Sequence, residues 1–567
     1  NMHLCRMLKR VINKKSHSSP VKQNQLLALL SAFILWLAWP PTPLTSPILL
    51  VALVPLLLAV EHVIQSDQAK KGAKVFWLCA LVFFLWNAAC TYWIFNSFLS
   101  SGMPVVIAAL VILLPFGTAT LFMTSCFWLY YRLRRMTTKI WSYIGLICFW
   151  IGYEFLYQSW DAPFPWMNLG NGFAQSHQLV QWYEYTGVYG GTLWVLIANI
   201  LIFETYKSFT SSKDIEPVKM ERGGVRLLYA SVLFVSIPML ISLVLYFSYQ
   251  EKSNPANVVV VQPNVDPYMK YTLNPIMQIQ NLIHLSDSIG QANTEYFIWP
   301  ETAIPDFSNE DAIRSNINYV AIRSFLNKYK NGNVVSGIES YVLYDCAKTY
   351  TARLDTISGK YADSFNAAIQ IENSADVQFY HKSKLVPGVE TLPFASVLGF
   401  LKPVFAKLGG ATGRYGKQER ASVFYSQSGI GVAPVICYES IWGGYVADYV
   451  KQGAQFIAIM TNDGWWGNTS GKNQHLEYAK LRAIETRRWV ARSANTGISA
   501  FINQRGDVVK QSQWWVSAAL KEDINLNDQL TFYVQHGDYI AYAGWFGCGL
   551  FGMILFIGVF RKKKEVF

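Results

Sequence analysis

Residues 431–439 read Gly431-Val432-Ala433-Pro434-Val435-Ile436-Cys437-Tyr438-Glu439. Gly431–Ile436 is an apolar stretch of strand character that runs straight into a cysteine. Tyr438–Gly453 then reads as a helix, with Val446, Tyr449 and Val450 on one face. Cys437 therefore stands where a buried strand ends and a helix begins. Backbone N–H groups and the positive end of a helix dipole at such a junction favour a thiolate and can hold an oxyanion. A small buried cysteine with no chemistry fits the same position.

The surrounding chain repeats the strand-then-helix pattern. Asn257–Gln262 is a β-branched strand, Asn274–Gly290 a helix, Glu295–Pro300 a strand stopped by proline, and Asn333–Ile338 another strand. Ser364–Ile371 and Ala375–Tyr380 read as a hairpin around Asn373-Ser374. Ala454–Met460 is a buried strand, Asn473–Val490 a long helix, and Gly497–Asn503 a strand closed by the Arg505-Gly506-Asp507 turn. This alternation predicts an α/β or α+β layered domain over residues 249–538, large enough to have its own core.

Outside that domain the chain is apolar. Hydrophobic residues make up 52% of the 567 residues and charged ones 15%, against roughly 25% charged in ordinary soluble domains. Eight runs carry this excess: 24–40, 47–64, 75–96, 104–130, 140–158, 187–206, 227–248 and 539–560. Most reach the ~20 residues needed to cross a bilayer. The first ends in Pro40-Pro41 and is the shortest. No small-residue cleavage site follows it, so it is expected to stay in place as a helix.

Basic residues gather in 1–22, 65–74, 131–139, 207–226 and 561–567, while loops 41–46, 97–103 and 159–186 have no Lys or Arg. This asymmetry predicts both termini on the cytoplasmic side and residues 249–538 on the outer side. The expected order is a basic N-terminus (1–23), seven helices (24–248), the outer domain (249–538), an eighth helix (539–560) and a basic tail (561–567). The net charge of +12 lies in the membrane part, as a topology signal and a contact with anionic lipid heads. It offers nothing for a nucleic-acid reading. Eight cysteines in this length exclude a disulfide scaffold.

Other candidates are weaker taken singly. Glu301 follows Tyr296-Phe297-Ile298-Trp299-Pro300, where partial desolvation would raise its pKa toward that of a general base. A solvated loop glutamate is the commoner fate of a residue at such a strand end. Lys382 lies in Tyr380-His381-Lys382-Ser383-Lys384-Leu385-Val386-Pro387-Gly388-Val389-Glu390 and is either an oxyanion-stabilising cation or a surface lysine. His381 is a rival partner for Cys437, and Cys346 a conceivable disulfide partner. No CxxC pair or HExxH motif supports a metal site, and no cofactor is expected. Glu61, His62, Glu154 and Glu204 lie near helix ends rather than along a polar path, which counts against a transporter.

Three separated segments together fit one pattern. Trp299-Pro300-Glu301, Lys382 with Leu385-Val386-Pro387 and Glu390, and Cys437-Tyr438-Glu439 resemble the Glu–Lys–Cys segments of the nitrilase (carbon–nitrogen hydrolase) superfamily. Thr461–Gly467, Gln474-His475, Arg482–Glu485 and Arg492–Gly497 look like that superfamily's later blocks. With eight helices around it, and with Pro165-Trp166 and Gly187-Val188-Tyr189-Gly190-Gly191, the chain resembles the apolipoprotein N-acyltransferase family. The pattern departs at Pro387-Gly388-Val389, where Phe-Gly usually precedes the Glu, at Trp465-Trp466, where the second Trp often is Phe, and at Pro263, where Gly is usual.

The resemblance implies an αββα sandwich beside a polytopic helical membrane domain. It implies acyl transfer from a phospholipid to the α-amino group of a diacylglyceryl-Cys lipoprotein through a thioacyl enzyme, at a bacterial inner membrane with the catalytic domain periplasmic. Glu301, Lys382 and Cys437 would be catalytic, Glu390 would orient Lys382, Tyr438 would lend a backbone N–H, and Glu439 would support the site. The aromatic loop 159–186 with Trp166 is expected at a lipid entrance or in an ordinary interfacial belt. Trp442, Trp465 and Trp466 would form a lid or pack in the core. A monomer is expected. The rival readings are a membrane-anchored amidase acting on a small amide and a lipoprotein-binding pseudoenzyme.

Overall fold

The computed structural model describes residues 20–100, 102–210, 217–349, 351–356, 358–374, 376–394, 397 and 415–564. The expectations placed on residues 1–19 and 565–567 lie outside the described residues.

The apolar runs form α1 (Pro20–Leu37), α2 (Val54–Gln65), α3 (Lys71–Thr91), α4 (Trp93–Ser100), α5 (Val105–Val111), α6 (Leu113–Arg134), α7 (Lys139–Ser159), α8 (Tyr183–Thr210) and α9 (Pro217–Ser248). Two expected single spans are thus each built from two helical pieces. The chain breaks at Tyr92 between α3 and α4, and at Ile112 between α5 and α6. Among the described residues seven spans are long and apolar enough to cross a membrane, Ser46–Gln65 and Tyr539–Gly558 included, while Val21–Leu37 is shorter. The first of the eight expected helices, short in sequence, is this shorter apolar helix. Large apolar side chains such as Leu240, Val244 and Phe247 are exposed along α9, as a lipid-facing helix requires.

The second half alternates as its periodicity predicts. It contains β1 (Pro255–Gln262), α10 (Pro275–Ile289), β2 (Thr294–Ile298), β3 (Ile304–Asn309), α11 (Ile317–Leu326), β4 (Asn333–Tyr344), β5 (Arg353–Leu354), β6 (Tyr361–Glu372) and β7 (Val377–His381). Then follow β8 (Phe424–Tyr425), β9 (Gly431–Ile436), α12 (Gly443–Lys451), β10 (Phe456–Thr461), α13 (Ser470–Thr486), β11 (Val490–Ala494), β12 (Ala500–Ile502), β13 (Val508–Gln511), β14 (Ala518–Asn525), α14 (Phe532–His536) and α15 (Tyr539–Lys564). Caps fix the helix starts: Asn274 accepts from the Ile276 N–H, and Asn316 from those of Asn318 and Tyr319.

Two sheets result. One runs β14-β1-β2-β4-β6-β5, with β3 on β4 and β7 on β6, and the other runs β13-β12-β11-β10-β9-β8. β1, β2 and β4 pair in parallel, as do β9, β10 and β11, so each sheet brings several strand ends to one edge. The valines of β1 divide by period two. Val258 and Val260 belong to the core between the sheets, while Val259 and Val261 pack with Ile279 and Leu282 of α10. Burying each contributes about 1.5–3 kcal/mol. The core between the sheets is continuous with that of the membrane helices, from Ala28 to Leu555.

Candidate active site

Glu301 is placed by a turn clamped on both sides. β2 ends at Ile298, and the Trp299 N–H donates to the Val335 carbonyl at 2.9 Å. The Trp299 indole N–H donates to Ser286 Oγ, also at 2.9 Å. Gly337 of β4 lies under the turn: a Cβ there would meet the Thr302 nitrogen at 2.3 Å and the Glu301 Cα at 2.6 Å. Only glycine lets the strand pass so close.

Lys382 leaves the end of β7 and is buried between two carboxylates. Its Nζ donates to Glu301 Oε1 and to Glu390 Oε1, each at 2.9 Å. Asn366, on β6, donates its amide to the same two oxygens at 2.9 and 2.8 Å. Glu390 also accepts from the Val386 N–H at 2.7 Å, closing the Leu-Val-Pro turn on the lysine. The departure at Pro387-Gly388-Val389 thus leaves Glu390 in contact with Lys382.

Cys437 leaves the end of β9 with φ +49°. A left-handed conformation at a non-glycine residue costs on the order of 1–3 kcal/mol and needs outside support. The Ser440 hydroxyl donates to the Cys437 carbonyl at 2.8 Å, and His475 Nε2 lies 3.2 Å from the same oxygen. Behind His475 stand Asp463, 2.9 Å away, and Arg492, which donates to Asp463 at 2.6 Å, all fully buried. Glu439 joins the two halves of the site. It accepts from the Tyr380 hydroxyl (2.6 Å), the Ser383 N–H (2.7 Å) and the Ile436 N–H (3.0 Å). The expected continuous helix after Cys437 is instead a tight turn, Cys437–Ile441, an extended Trp442, and then α12.

The electrostatics reverse two expectations. Burial pushes the Glu301 carboxyl up, but Lys382 and the hydrogen bonds of Lys382, Asn366 and Cys437 bring it below the usual carboxylate range. Burial would lower Lys382, yet Glu301 and Glu390 hold it well above the ordinary amine value. Burial, with the Glu301 charge adding to it, pushes the Cys437 thiol up rather than down. Glu301 and Glu390 are paired with the Lys382 ammonium.

The remaining sequence candidates fall in defined places. The Tyr438 hydroxyl donates to the Pro163 carbonyl at 2.8 Å, and the Trp442 indole N–H to the Gln158 carbonyl at 3.1 Å. The nucleophile segment is thereby tied to the end of α7. Trp166 is fully buried and packs on Trp93, Trp466 and Tyr478. Trp465 is half-buried, its ring against Tyr268, and Trp466 packs on Trp93 at 4.9 Å. His381 pairs with Glu310 and stacks on Phe365. Cys346 is exposed, Cys437 buried, and both are free thiols.

Sequence reasoning passed over two contributors, and met Gln474 and Gly187 only within segments that carry the resemblance. Asn366 is one. Lys270 is another: its Nζ donates to the Glu301 carbonyl at 3.2 Å and to Thr302 Oγ1 at 2.6 Å, and burial lowers its pKa to about 8. Gln474 of α13 accepts from the indoles of Trp93 (3.1 Å) and Trp166 (2.7 Å) and donates to the Pro40 (2.9 Å) and Cys90 (3.0 Å) carbonyls. It sits next to His475 and joins the sandwich to three membrane segments. Gly187, at φ +60°, interrupts α8 and leaves the Val188 N–H to donate to Glu485 at 3.1 Å. A Cβ at Gly187 would meet the Tyr533 ring at 2.4 Å.

Two family models match the chain. Residues 31–201 match the apolipoprotein N-acyltransferase N-terminal domain, and residues 257–529 match carbon–nitrogen hydrolase. A protein of Chlorobaculum tepidum named apolipoprotein N-acyltransferase is 29% identical over 551 residues, covering 95% of this chain and 97% of that one. One of Geobacter metallireducens with the same name is 26% identical over 554 residues, 96% of each chain. One of Pseudomonas aeruginosa is 25% identical over 473 residues, 82% of this chain and 83% of that one. Two adjoining domain matches in this order, near full-length similarity, and a Glu–Lys–Cys cluster at the sheet edges facing an apolar helical body place the chain, a bacterial membrane protein, in the apolipoprotein N-acyltransferase family.

Proposed function

We propose that the protein moves a fatty acyl chain from a phospholipid to the α-amino group of the N-terminal diacylglyceryl-Cys of a lipoprotein. The observation that carries this reading is the buried Glu301–Lys382–Glu390 cluster beside Cys437, on a segment tied to the end of α7 through Tyr438 and Trp442.

In the first half-reaction Cys437 Sγ attacks the ester carbonyl carbon and its proton passes to Glu301. Lys382 and the Tyr438 N–H stabilise the oxyanion. The carbon–oxygen bond breaks, Glu301 protonates the departing glycerol oxygen, and a lysophospholipid leaves a thioester. In the second half-reaction the lipoprotein amine attacks the thioester carbonyl and gives a proton to Glu301. The carbon–sulfur bond breaks, and the thiolate recovers that proton. The products are an amide and the starting enzyme.

The lowered Glu301 and raised Cys437 give the resting thiol no tendency to ionise. As the oxyanion forms, Lys382 turns part of its charge toward it and Glu301 becomes more basic. Proton transfer is thereby coupled to attack on a bound ester. Trp166 acts as a buried support for the entrance region, and Trp465 and Trp466 border the acyl path.

The basic loops support a topology with both termini in the cytoplasm, the sandwich in the periplasm and α1 crossing as an eighth span. One chain supplies every residue of the site, so a monomer suffices. The test is an assay with phospholipid and a diacylglyceryl-Cys peptide, read by mass spectrometry. A triacylated peptide that fails to form in Cys437→Ala supports the proposal. Turnover of small amides without N-acylation would favour the amidase reading instead.

A further inference from the structure

A second concave site lies at the far end of the helices from Cys437. It is a cavity of about 590 Å³ lined by Lys70, Lys71, Gly72, Trp128, Arg132 and Arg135 among others, none of them acidic. Lys71 opens α3, whose 21 residues span about 30 Å. The other end of α3 carries the Cys90 carbonyl that Gln474 of the sandwich holds. The cavity and the catalytic domain are therefore about a bilayer's hydrocarbon thickness apart.

Its cations have partners that orient them without neutralising them. Lys71 donates to the Ile64 carbonyl at 3.0 Å, Arg132 lies over the Trp128 ring, and Arg135 reaches the Tyr131 ring and hydroxyl. Glu61, a buried carboxylate at this end of the bundle, is taken by Arg134 and Lys207. Among the described residues four positive charges face one hollow with no carboxylate on them. The first turn of α3 also has no acidic residue. Two turns along α6 from Trp128, on the same face, Leu121 is exposed apolar surface.

We infer that this cavity binds the phosphodiester head group of an anionic phospholipid, in the leaflet opposite the catalytic domain. Two guanidinium groups match phosphate oxygens by paired hydrogen bonds. Trp128 fits the interfacial glycerol region, and the acyl chains run down the apolar face of α6. The inference rests on the membrane placement of the helices. It shares no residue with the acyl-transfer site.

The test uses the full-length protein in detergent as the Cys437→Ala variant, so that no lipid is consumed. Native mass spectrometry compares phosphatidylglycerol, phosphatidylcholine with the same acyl chains, and inorganic phosphate. The expected result is one phosphatidylglycerol held about tenfold or more tighter than phosphatidylcholine, and a drop of about 30-fold in Arg132→Gln/Arg135→Gln. The double Arg→Lys variant should keep most of the binding. Lys70→Glu, at an exposed position, should also weaken it. Equal binding of the two lipids, wild-type binding in both charge-removing variants, or binding of phosphate but not phosphatidylglycerol would overturn the inference. A wild type that forms no acyl-enzyme would bear on the catalytic proposal alone.

Discussion

On the eight-stranded sheet the site residues hold one another by charge, whereas on the six-stranded sheet the nucleophile is held by its backbone. Lys382 bridges Glu301 and Glu390, and Asn366 repeats both contacts. Removing Lys382 leaves two buried carboxylates without their cation. Cys437 contributes little to its own support. Its left-handed backbone is fixed through its carbonyl by Ser440 and His475, over the Asp463–Arg492 pair. Chemistry and stability are thus coupled on one sheet and separable on the other.

The largest effect should come from Cys437→Ala. Acyl transfer should fall by about 10⁵ or more, as for loss of a covalent nucleophile. Unfolding free energy should move by about 1 kcal/mol at most, which thermal melts would check. A folded enzyme with no activity is the expected pair of readings, and a large loss of stability would break the contrast. Lys382→Met should lower activity by about 10³ or more. It should also destabilise by about 3–5 kcal/mol, because two carboxylates lose their cation. Adding Glu390→Gln should restore part of the stability and none of the rate.

Arg492→Met sharpens the comparison from the other side. It strands the buried Asp463, so the stability loss should again be about 3–5 kcal/mol. Its rate loss in surviving folded enzyme should be smaller than that of Lys382→Met, since Arg492 acts through His475. Equal rate losses would mean that the six-stranded sheet is as electrostatic as its neighbour.

The smallest effect is in pH dependence. Burial and Lys382 together leave Glu301 below its ordinary value. A lowered carboxylate contributes stability above its unfolded pKa of about 4.3, and this is lost as pH falls through the folded value. Raised Lys382 contributes stability below its unfolded value of about 10.4, lost as pH rises through the folded one. Glu485, which burial raises to about 7 against the pull of Arg482, acts oppositely: its contribution falls as pH rises from about 4.3 to about 7. Denaturant midpoints should show a plateau with a shallow decline across that last interval. Glu485→Gln should flatten the decline, and Lys382→Met should remove the edges of the plateau.

The sheet architecture was legible because Asn257–Gln262, Glu295–Pro300 and Gly431–Ile436 are apolar runs with clear stops. Cys437, Glu301 and Lys382 stood out through the three-segment resemblance, since residues 81 apart carry no periodic signal of meeting. Asn366 was hidden because one polar residue in a strand looks like an outward-facing one. The direction of the Glu301 shift depended on Lys382, which lies 81 residues further along the chain. Trp166 read as interfacial because its loop is aromatic and has no Lys or Arg. It is buried because Gln474, 308 residues away, satisfies its N–H. The glycine run 187–191 showed only as a resemblance, and its physical reason lies in Tyr533 and Glu485.

The central claim is that Cys437 carries the acyl group between two lipids. It is tested most directly by intact mass spectrometry of wild-type protein and Cys437→Ala after incubation with phospholipid alone. A thioacyl intermediate on Cys437 gives a mass gain of one acyl chain in the wild type, removed by hydroxylamine and absent from the variant. A folded, lipid-supplied wild type without that adduct, or an adduct that persists in Cys437→Ala, would contradict it.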